Sequence, residues 1–430
     1  MEKAQIAPPP FYCSVDLRDA GYKIAPVDSN LFPAGFNNIC PEDIRTAPTL
    51  IRAQVEAEMN RRMKDLPTRV LIIPEAHTTN RFYIENLYYL EKLFKEAGFE
   101  TCIGWYQPQT EAPLSEDAIT LISATEKELK AYPIRREGSR IKAAQFDPDV
   151  IILNNDFSSG HPAILDQIDQ PVLPTHRLGW FARKKSTHCV HYNRLASEFA
   201  SIIGIDPWHI TIESVEVNEV NFSESIGLDR VESAVGQMLK NIHRQYELHN
   251  VSRKPFVFVK NNSGTYGMGI MVVRDPQEIA TMNRRSKNKM SVGKNKLQIE
   301  SVVVQEGIPT ATIVDRLASE PVIYLSGTDL IGGFLRTNTE RGDEDNLNSQ
   351  GMVFKTLCMT DLRETTWDLG SRPVDQTTGS EIGDELAEAE LDHDPSLELV
   401  YGSIARISAL AAGLEMLEAT KTIDPEYQHQ

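Results

Sequence analysis

Residues 254–270, KPFVFVKNNSGTYGMGI, constrain the fold most. Two short apolar runs, Phe256 to Val259 and Ile270 to Val273, flank a polar loop carrying Gly264, Gly267 and Gly269. The pattern predicts a β-hairpin with a glycine-rich tip. Glycines let backbone N–H groups approach a phosphate because no Cβ intervenes. Lys260, at the end of the first run, adds a compact positive charge. The hairpin therefore reads as a lid over a nucleoside triphosphate, with a purely structural hairpin as the alternative. It is not a Walker loop, because no G-K-[ST] opens a helix, and a strand rather than a helix follows, unlike a dinucleotide fingerprint.

At 430 residues the chain exceeds one ordinary core, so two or three domains are expected. The net charge of −17 argues against general binding to nucleic acid or an anionic membrane. Residues 284–296, RRSKNKMSVGKNK, run against that balance. They read as a solvated or phosphate-facing loop, or as a nucleic-acid patch. Acids concentrate in residues 379–398, which read as a solvated segment or an exposed helix. No secretory signal or membrane-spanning run is expected. The five cysteines are scattered and never spaced C-x-x-C. That predicts a reducing, cytoplasmic setting with no disulfide framework and no zinc site.

Apolar runs at Arg69 to Pro74, Phe99 to Trp105 and Asp149 to Asn154 alternate with helical spacing over Pro48 to Leu66 and Asn80 to Ala97. This predicts an open, mostly parallel α/β sheet, with a further helix after the Gly160–His161–Pro162 turn. Residues 13–40 read as loop. Beyond the hairpin, Ser301 to Gln305 is a buried strand, Pro321 to Leu325 pairs with Leu330 to Leu335, and residues 400–419 form a core helix. Ligands of such sheets sit at strand carboxyl ends, where Glu75, His77, Asn154, Asn155 and Asp156 fall.

The order of parts is informative. A lysine and glycine hairpin is followed by a strand ending Gln305–Glu306–Gly307, a hairpin ending in Arg336, and the acid- and amide-rich ERGDEDNLNSQG at 340–351. This order resembles the ATP-grasp superfamily. With VDLRDAGYKIAPVDSNLFPAGFNN at 15–38 and LPTHRLGWFARKKSTHCVHYN at 173–193, the chain is similar to the proteobacterial ATP-grasp glutamate–cysteine ligases. The resemblance implies an N-terminal α/β substrate domain (1–205), a lid domain (206–304) and a C-terminal catalytic domain (305–430). It implies ligation of glutamate, through its γ-carboxylate, to cysteine, with ATP and Mg²⁺. Another ATP-grasp carboxylate–amine ligase is the alternative. Nucleic-acid and membrane partners are not expected, and self-association stays open.

By the same resemblance, Lys260, Lys184 (or Lys185), Ser263, Gly264 and Gly267 hold the phosphates. Gln305, Glu306 and Gly307 meet adenine and ribose, and Arg336 stabilises the transferring phosphoryl group. Arg18, Lys23, Asp28, Asn30, Asn38, Asn155, Asp156, Ser158, Ser159 and Arg177 are candidates for substrate, with turn chemistry as the alternative for each. Glu320, Glu344 and Asn346 are candidates for metal, because hard oxygen ligands suit magnesium. Relatives carry their E-x-N pair later in the chain, so Glu344 and Asn346 are either metal ligands or part of a phosphate loop. His176, His188 and His191 lack metal-site spacing and read as polar-core or substrate histidines.

Overall fold

The computed structural model describes residues 7–75, 79–106, 117–158, 160–264, 268–291, 298–367 and 395–423. In chain order the strands are β1 (Tyr12–Asp19), β2 (Ile24–Asn30), β3 (Arg69–Pro74), β4 (Glu100–Trp105), β5 (Ile119–Ile122), β6 (Glu128–Glu137), β7 (Arg140–Ala143), β8 (Val150–Asn154) and β9 (Val172–Leu173). They continue with β10 (Ser214–Asn218), β11 (Val257–Asn261), β12 (Ile270–Val273), β13 (Ser301–Glu306), β14 (Ile313–Val314), β15 (Leu317–Ser326), β16 (Asp329–Asn338) and β17 (Met352–Leu357).

Three sheets result. The expected parallel sheet is mixed: its order is β5-β6-β4-β3-β8-β9, parallel from β6 to β9, with β5 and β7 antiparallel to β6. The lid sheet, β10-β13-β11-β12, is antiparallel, and its β11–β12 pair is the hairpin read from sequence. The third, β17-β16-β15-β1-β2 with β14 beside β15, is also antiparallel.

That third sheet overturns the loop expectation for residues 13–40. β1 and β2 lie there, and β1 pairs with β15 from Tyr12↔Ser326 to Asp16↔Val322. Successive side chains of a strand point to opposite faces. Cys13, Val15 and Leu17 face one core with Ile323, Leu325 and Leu335. Tyr12 shares the other core with Val322, Tyr324 and Phe334. Further along that second face, Asp16, Arg18, Glu320 and Arg336 replace the apolar residues and are also buried. The sheet thus joins residues 12–30 to residues 313–357, so the division at 205 and 304, which we keep as a proposal, describes chain order rather than sheet membership.

Each sheet is covered by helices for a legible reason. Helix Leu228–Leu248 buries Val231, Val235, Met238, Leu239 and Ile242, at helical spacing, on the lid sheet with Val257, Val259, Val302 and Val304. Helix Arg81–Glu96 is capped by the Asn80 side chain, which accepts from the Tyr83 N–H. Helix Leu397–Ile423 is long and apolar enough in its Leu397–Thr420 part to cross a membrane by composition alone. Its apolarity has a packing cause: Tyr401, Ile404, Ala405 and Ala409 are buried against the β1–β15 face and helix Lys185–Ile203.

Two further expectations need correction. After Gly160–His161–Pro162 the chain makes only a short 3-10 turn, Ala163–Leu165, which ends where Asp166 is extended and Gln167 takes a left-handed φ of 52°. Cys40 and Cys358 form a disulfide across a sequence separation of 318, joining the loop after β2 to the end of β17. Scattered spacing could not show that the fold brings these two together. Alkylation of the denatured, unreduced protein should label Cys13, Cys102 and Cys189 only, and all five after reduction; mass spectrometry showing five labels without reductant would contradict the bond.

Gly307 follows β13 where the chain crosses β11. A Cβ there would lie 2.3 Å from the Phe256 ring and 2.5 Å from the Phe256 carbonyl oxygen. Gly307→Ala should therefore destabilise by about 1–3 kcal/mol, an overpacking cost, read as a lower urea midpoint; an unchanged midpoint would contradict the close approach.

Candidate active site

The charged face of β1, β15 and β16 and the inner face of the lid hairpin enclose one cleft. Its base is a buried chain of alternating charge. Arg18 Nε donates to Glu320 Oε2 at 2.6 Å. Arg336 Nη1 donates to Glu320 Oε1 at 2.7 Å and to Asp16 Oδ2 at 2.6 Å. Arg18 also donates to the carbonyls of Asp343 and Asp345, which fastens the 340–351 loop to the sheet. That loop contributes Asn346 and Asn348 to the cleft.

Two atoms in this chain are left over. Asp16 Oδ1 and Arg336 Nε are buried without a hydrogen-bond partner among the described residues. Buried polar atoms are rarely left so unless something binds them. Burial pushes the Asp16 carboxyl up, against the pull of Arg336, with Asp28 and Glu320 adding to the rise. Burial also works to raise Glu320, but Arg18 and Arg336 outweigh it and hold the carboxyl low. The two acids thus differ in ease of protonation because one contacts a single arginine and the other two.

The lid supplies the opposite wall. On β11, Val257 and Val259 enter the lid core, so Phe258 and Lys260 face the cleft. Lys260 Nζ donates to the Val27 carbonyl at 3.1 Å and to the Gln305 side-chain oxygen. Burial pulls its pKa down to about 8, although Asp28 opposes the fall. Lys185, the first residue of its helix, pairs with Asp28 at 2.6 Å. Burial works to raise Asp28, but Lys185, then Lys260 and Arg183, hold it low. Lys185 Nζ also lies 4.3 Å from the Trp180 ring centroid.

The structure sorts the residues expected from sequence. Arg18, Lys260, Gly264, Glu320, Arg336 and Asn346 meet in the cleft. Gln305 reaches it through Lys260. Ser263 donates its hydroxyl to the Arg183 carbonyl, at the base of the hairpin tip. Gly267, His77 and Ser159 lie outside the described residues.

Others go elsewhere. Lys184 is an exposed partner of Glu216, and its neighbour Lys185 lines the cleft instead, because successive residues at a helix start point apart. Glu306 alternates away from Gln305 and takes both bonds from buried Lys23, beside Trp208. Lys23 is thereby committed to an ion pair rather than to this cleft. Glu344 pairs with Arg274 at 2.8 Å, away from Asn346, so the two do not share a ligand position. Asn30 pairs with Ser14 in the β1–β2 register. Asn155 closes a turn, donating to the Pro74 carbonyl and accepting from the Phe157 N–H. Asp156 accepts from the Ser158 N–H, and Arg177 lies in a 3-10 turn capped by Thr175. His188 sits in a buried cluster with Arg183, Glu415 and Ser408, and His191 pairs with Glu418, both as polar-core residues.

Asp16 and Asn348 were missed in the sequence. The alternation Ser14, Asp16, Arg18 within CSVDLRD is the strand-like signal that could have found Asp16.

The four basic side chains of the cleft are Arg18, Lys185, Lys260 and Arg336; the three acids are Asp16, Asp28 and Glu320. The cleft is almost charge-balanced, and a polyanion bound there gains little net attraction from protein alone. The depressed Lys260 also makes stability depend on pH. Between about 8 and the unfolded value, the unfolded chain binds one more proton at this site, so stability rises with pH. Wild type should gain up to ~3 kcal/mol relative to Lys260→Met between pH 8 and pH 10.5 in urea unfolding; a constant difference would contradict a buried, charged lysine.

The glutamate–cysteine ligase family profile matches residues 1–416. A crystal structure from Methylobacillus flagellatus KT, assigned as a gamma-glutamylcysteine synthetase, is 34% identical, with a TM-score of 0.81, over 97% of this chain and 92% of that one. A D-alanyl-alanine synthetase A from Vibrio cholerae O1 (11% identical, 63% of this chain and 66% of that one, TM-score 0.31) is too distant to carry an argument. The same holds for a glutathione synthetase-like effector from Globodera pallida (8% identical, 83% and 79%, TM-score 0.37). No curated protein sequence matches the chain. Profile and crystal-structure likeness agree over nearly the whole length: the chain belongs to the glutamate–cysteine ligase family.

Proposed function

We propose that the cleft between the lid hairpin and the charged face of β1, β15 and β16 is where the ligase binds ATP and activates glutamate. The observation that carries this reading is the pair of orphaned buried atoms, Asp16 Oδ1 and Arg336 Nε, opposite Lys260. A carboxylate does not react with an amine at neutral pH, so its oxygen must first become a leaving group. The γ-carboxylate of glutamate takes the γ-phosphoryl group of ATP and ADP departs. The amine of cysteine then forms a bond to the acyl carbon, the carbon–oxygen bond breaks, phosphate leaves with the electron pair, and the amine loses a proton.

Each side chain has a part set by its place. Lys260 and Lys185 approach the phosphates from the lid and from a helix start. Gly264 lets backbone follow the phosphates closely; a Cβ there would meet the Asn261 side chain at 2.5 Å. Arg336, held by Asp16 and Glu320 on Nη1, offers its Nε to the transferring group. Such preorganised donors stabilise charge as it develops. Arg18 keeps the Asn346–Asn348 loop against the sheet.

The donor set fits magnesium. Asp16 Oδ1 is a hard oxygen without a partner among the described residues, and Asn346 and Asn348 add amide oxygens to the same cleft. Glu320 fits less well, since both its oxygens already accept from arginines. Bound there, Mg²⁺ would supply the positive charge that the nearly balanced cleft lacks. A cytoplasmic setting, with its supply of ATP and thiol substrate, belongs to this reading, although the Cys40–Cys358 bond removes the cysteine argument for it.

Phosphate release with ATP, Mg²⁺, glutamate and cysteine tests the proposal. Lys260→Ala should lower turnover by about 10²–10³-fold with an unchanged circular dichroism spectrum. Wild-type activity in that variant, or no turnover of the pair by the wild type, would contradict it. With saturating glutamate and cysteine, the affinity for ATP should also weaken as pH rises past about 8, where Lys260 loses its proton, and a flat profile would contradict that role.

A further inference from the structure

Outside the cleft, the described residues include one cluster of metal-ligating side chains. His161 Nε2 lies 2.8 Å from both oxygens of Asp166, and His176 Nε2 lies 3.2 Å from Asp166 Oδ1. The three potential donor atoms all fall within 4.8 Å of one another. None of the three residues lines the cleft.

The scaffold fixes this convergence. β8 and β9 pair in parallel, Ile151↔Val172 and Ile152↔Leu173, which sets the loop after one strand beside the loop after the other. His161 and Asp166 flank the Ala163–Leu165 turn, anchored by buried Leu165. Gln167, the next residue, takes a left-handed φ of 52°. His176 begins the turn capped by Thr175 and anchored by buried Leu178. The Phe181 ring packs edge-on against His161 at 5.3 Å. Three donors reach one point from two loops whose backbones are held independently of any ligand.

We propose that His161, Asp166 and His176 form a binding site for a borderline transition-metal dication of the Zn²⁺ class. Two imidazole nitrogens and one carboxylate oxygen make a three-ligand set that leaves a coordination position for water or a small ligand. Imidazole selects such ions over Mg²⁺, which prefers an all-oxygen shell. Asp166 and His161 are both partly exposed, at 43% and 40% of the side chain, which leaves a path for the ion. Metal entry would replace the two His–Asp hydrogen bonds by metal–ligand bonds and tie the two loops together.

The test uses the full-length chain, stripped with chelator, and Co²⁺ as probe. Titration should give visible absorption bands that saturate at one equivalent. Zn²⁺ should abolish them, and millimolar Mg²⁺ should leave them unchanged. His161→Ala, at a partly exposed position, should weaken Co²⁺ and Zn²⁺ binding by about tenfold or more with an unchanged circular dichroism spectrum. Asp166→Ala should do the same, while His243→Ala, on a distant helix, should not. Absence of saturable Co²⁺ bands, or equal affinity in wild type and His161→Ala, would overturn the site. Neither outcome bears on the ligase reading, because no residue of the ATP cleft is altered.

Discussion

The site depends on one interaction, the buried relay Arg18–Glu320–Arg336–Asp16. Four ionisable side chains sit where the neighbouring strand positions carry Tyr12, Tyr324 and Phe334. Burying charge in this way is not a route to stability, since an apolar patch of equal volume often does as well. What the relay does is fix geometry. It holds Arg336 by one nitrogen and leaves another bare, and it holds Asp16 by one oxygen and leaves the other bare. Removing Glu320 would take a carboxylate partner from both arginines at once, so the relay is a unit rather than a set of separable contacts.

The rest of the fold presents this relay to the lid sheet. The central sheet is locked on one face by helix Leu397–Ile423 and on the other by the helices of the mixed sheet. The lid sheet carries its own core under helix Leu228–Leu248, so it is a separate packing unit. It meets the β1–β2 end of the central sheet through polar contacts, Lys260 to the Val27 carbonyl and Glu306 to Lys23. Polar contacts exchange readily with a polyanion. Lys260 is the sharpest case: its burial costs it basicity, and a phosphate arriving beside it would return that basicity.

Much of this was legible in the sequence. The lid hairpin, strands β3, β4 and β8, and the β15–β16 pair follow from apolar runs of strand length, because their packing is apolar on at least one face. β1 and β2 read as loop instead. β1 keeps a strand's alternation, with Cys13, Val15 and Leu17 on the core face, but its other face bears Ser14, Asp16 and Arg18, and the polar composition of 13–40 hid that period. The same cause explains the choice between Lys184 and Lys185, which composition cannot separate but the start of a helix does. Glu344 and Asn346 match a spacing, yet the loop turns between them, so Asn346 lines the cleft while Glu344 pairs with Arg274. Cys40 with Cys358, and His161 with His176, meet only through tertiary structure.

The central claim is that ATP lies between the lid hairpin and the relay, reached by Lys185 and not by its exposed neighbour. Calorimetric titration of ATP and Mg²⁺ into Lys184→Ala and Lys185→Ala tests this directly. The account predicts unchanged affinity in the first and at least about tenfold weaker binding in the second, the scale of one lost charge-assisted hydrogen bond. The reverse order would contradict it.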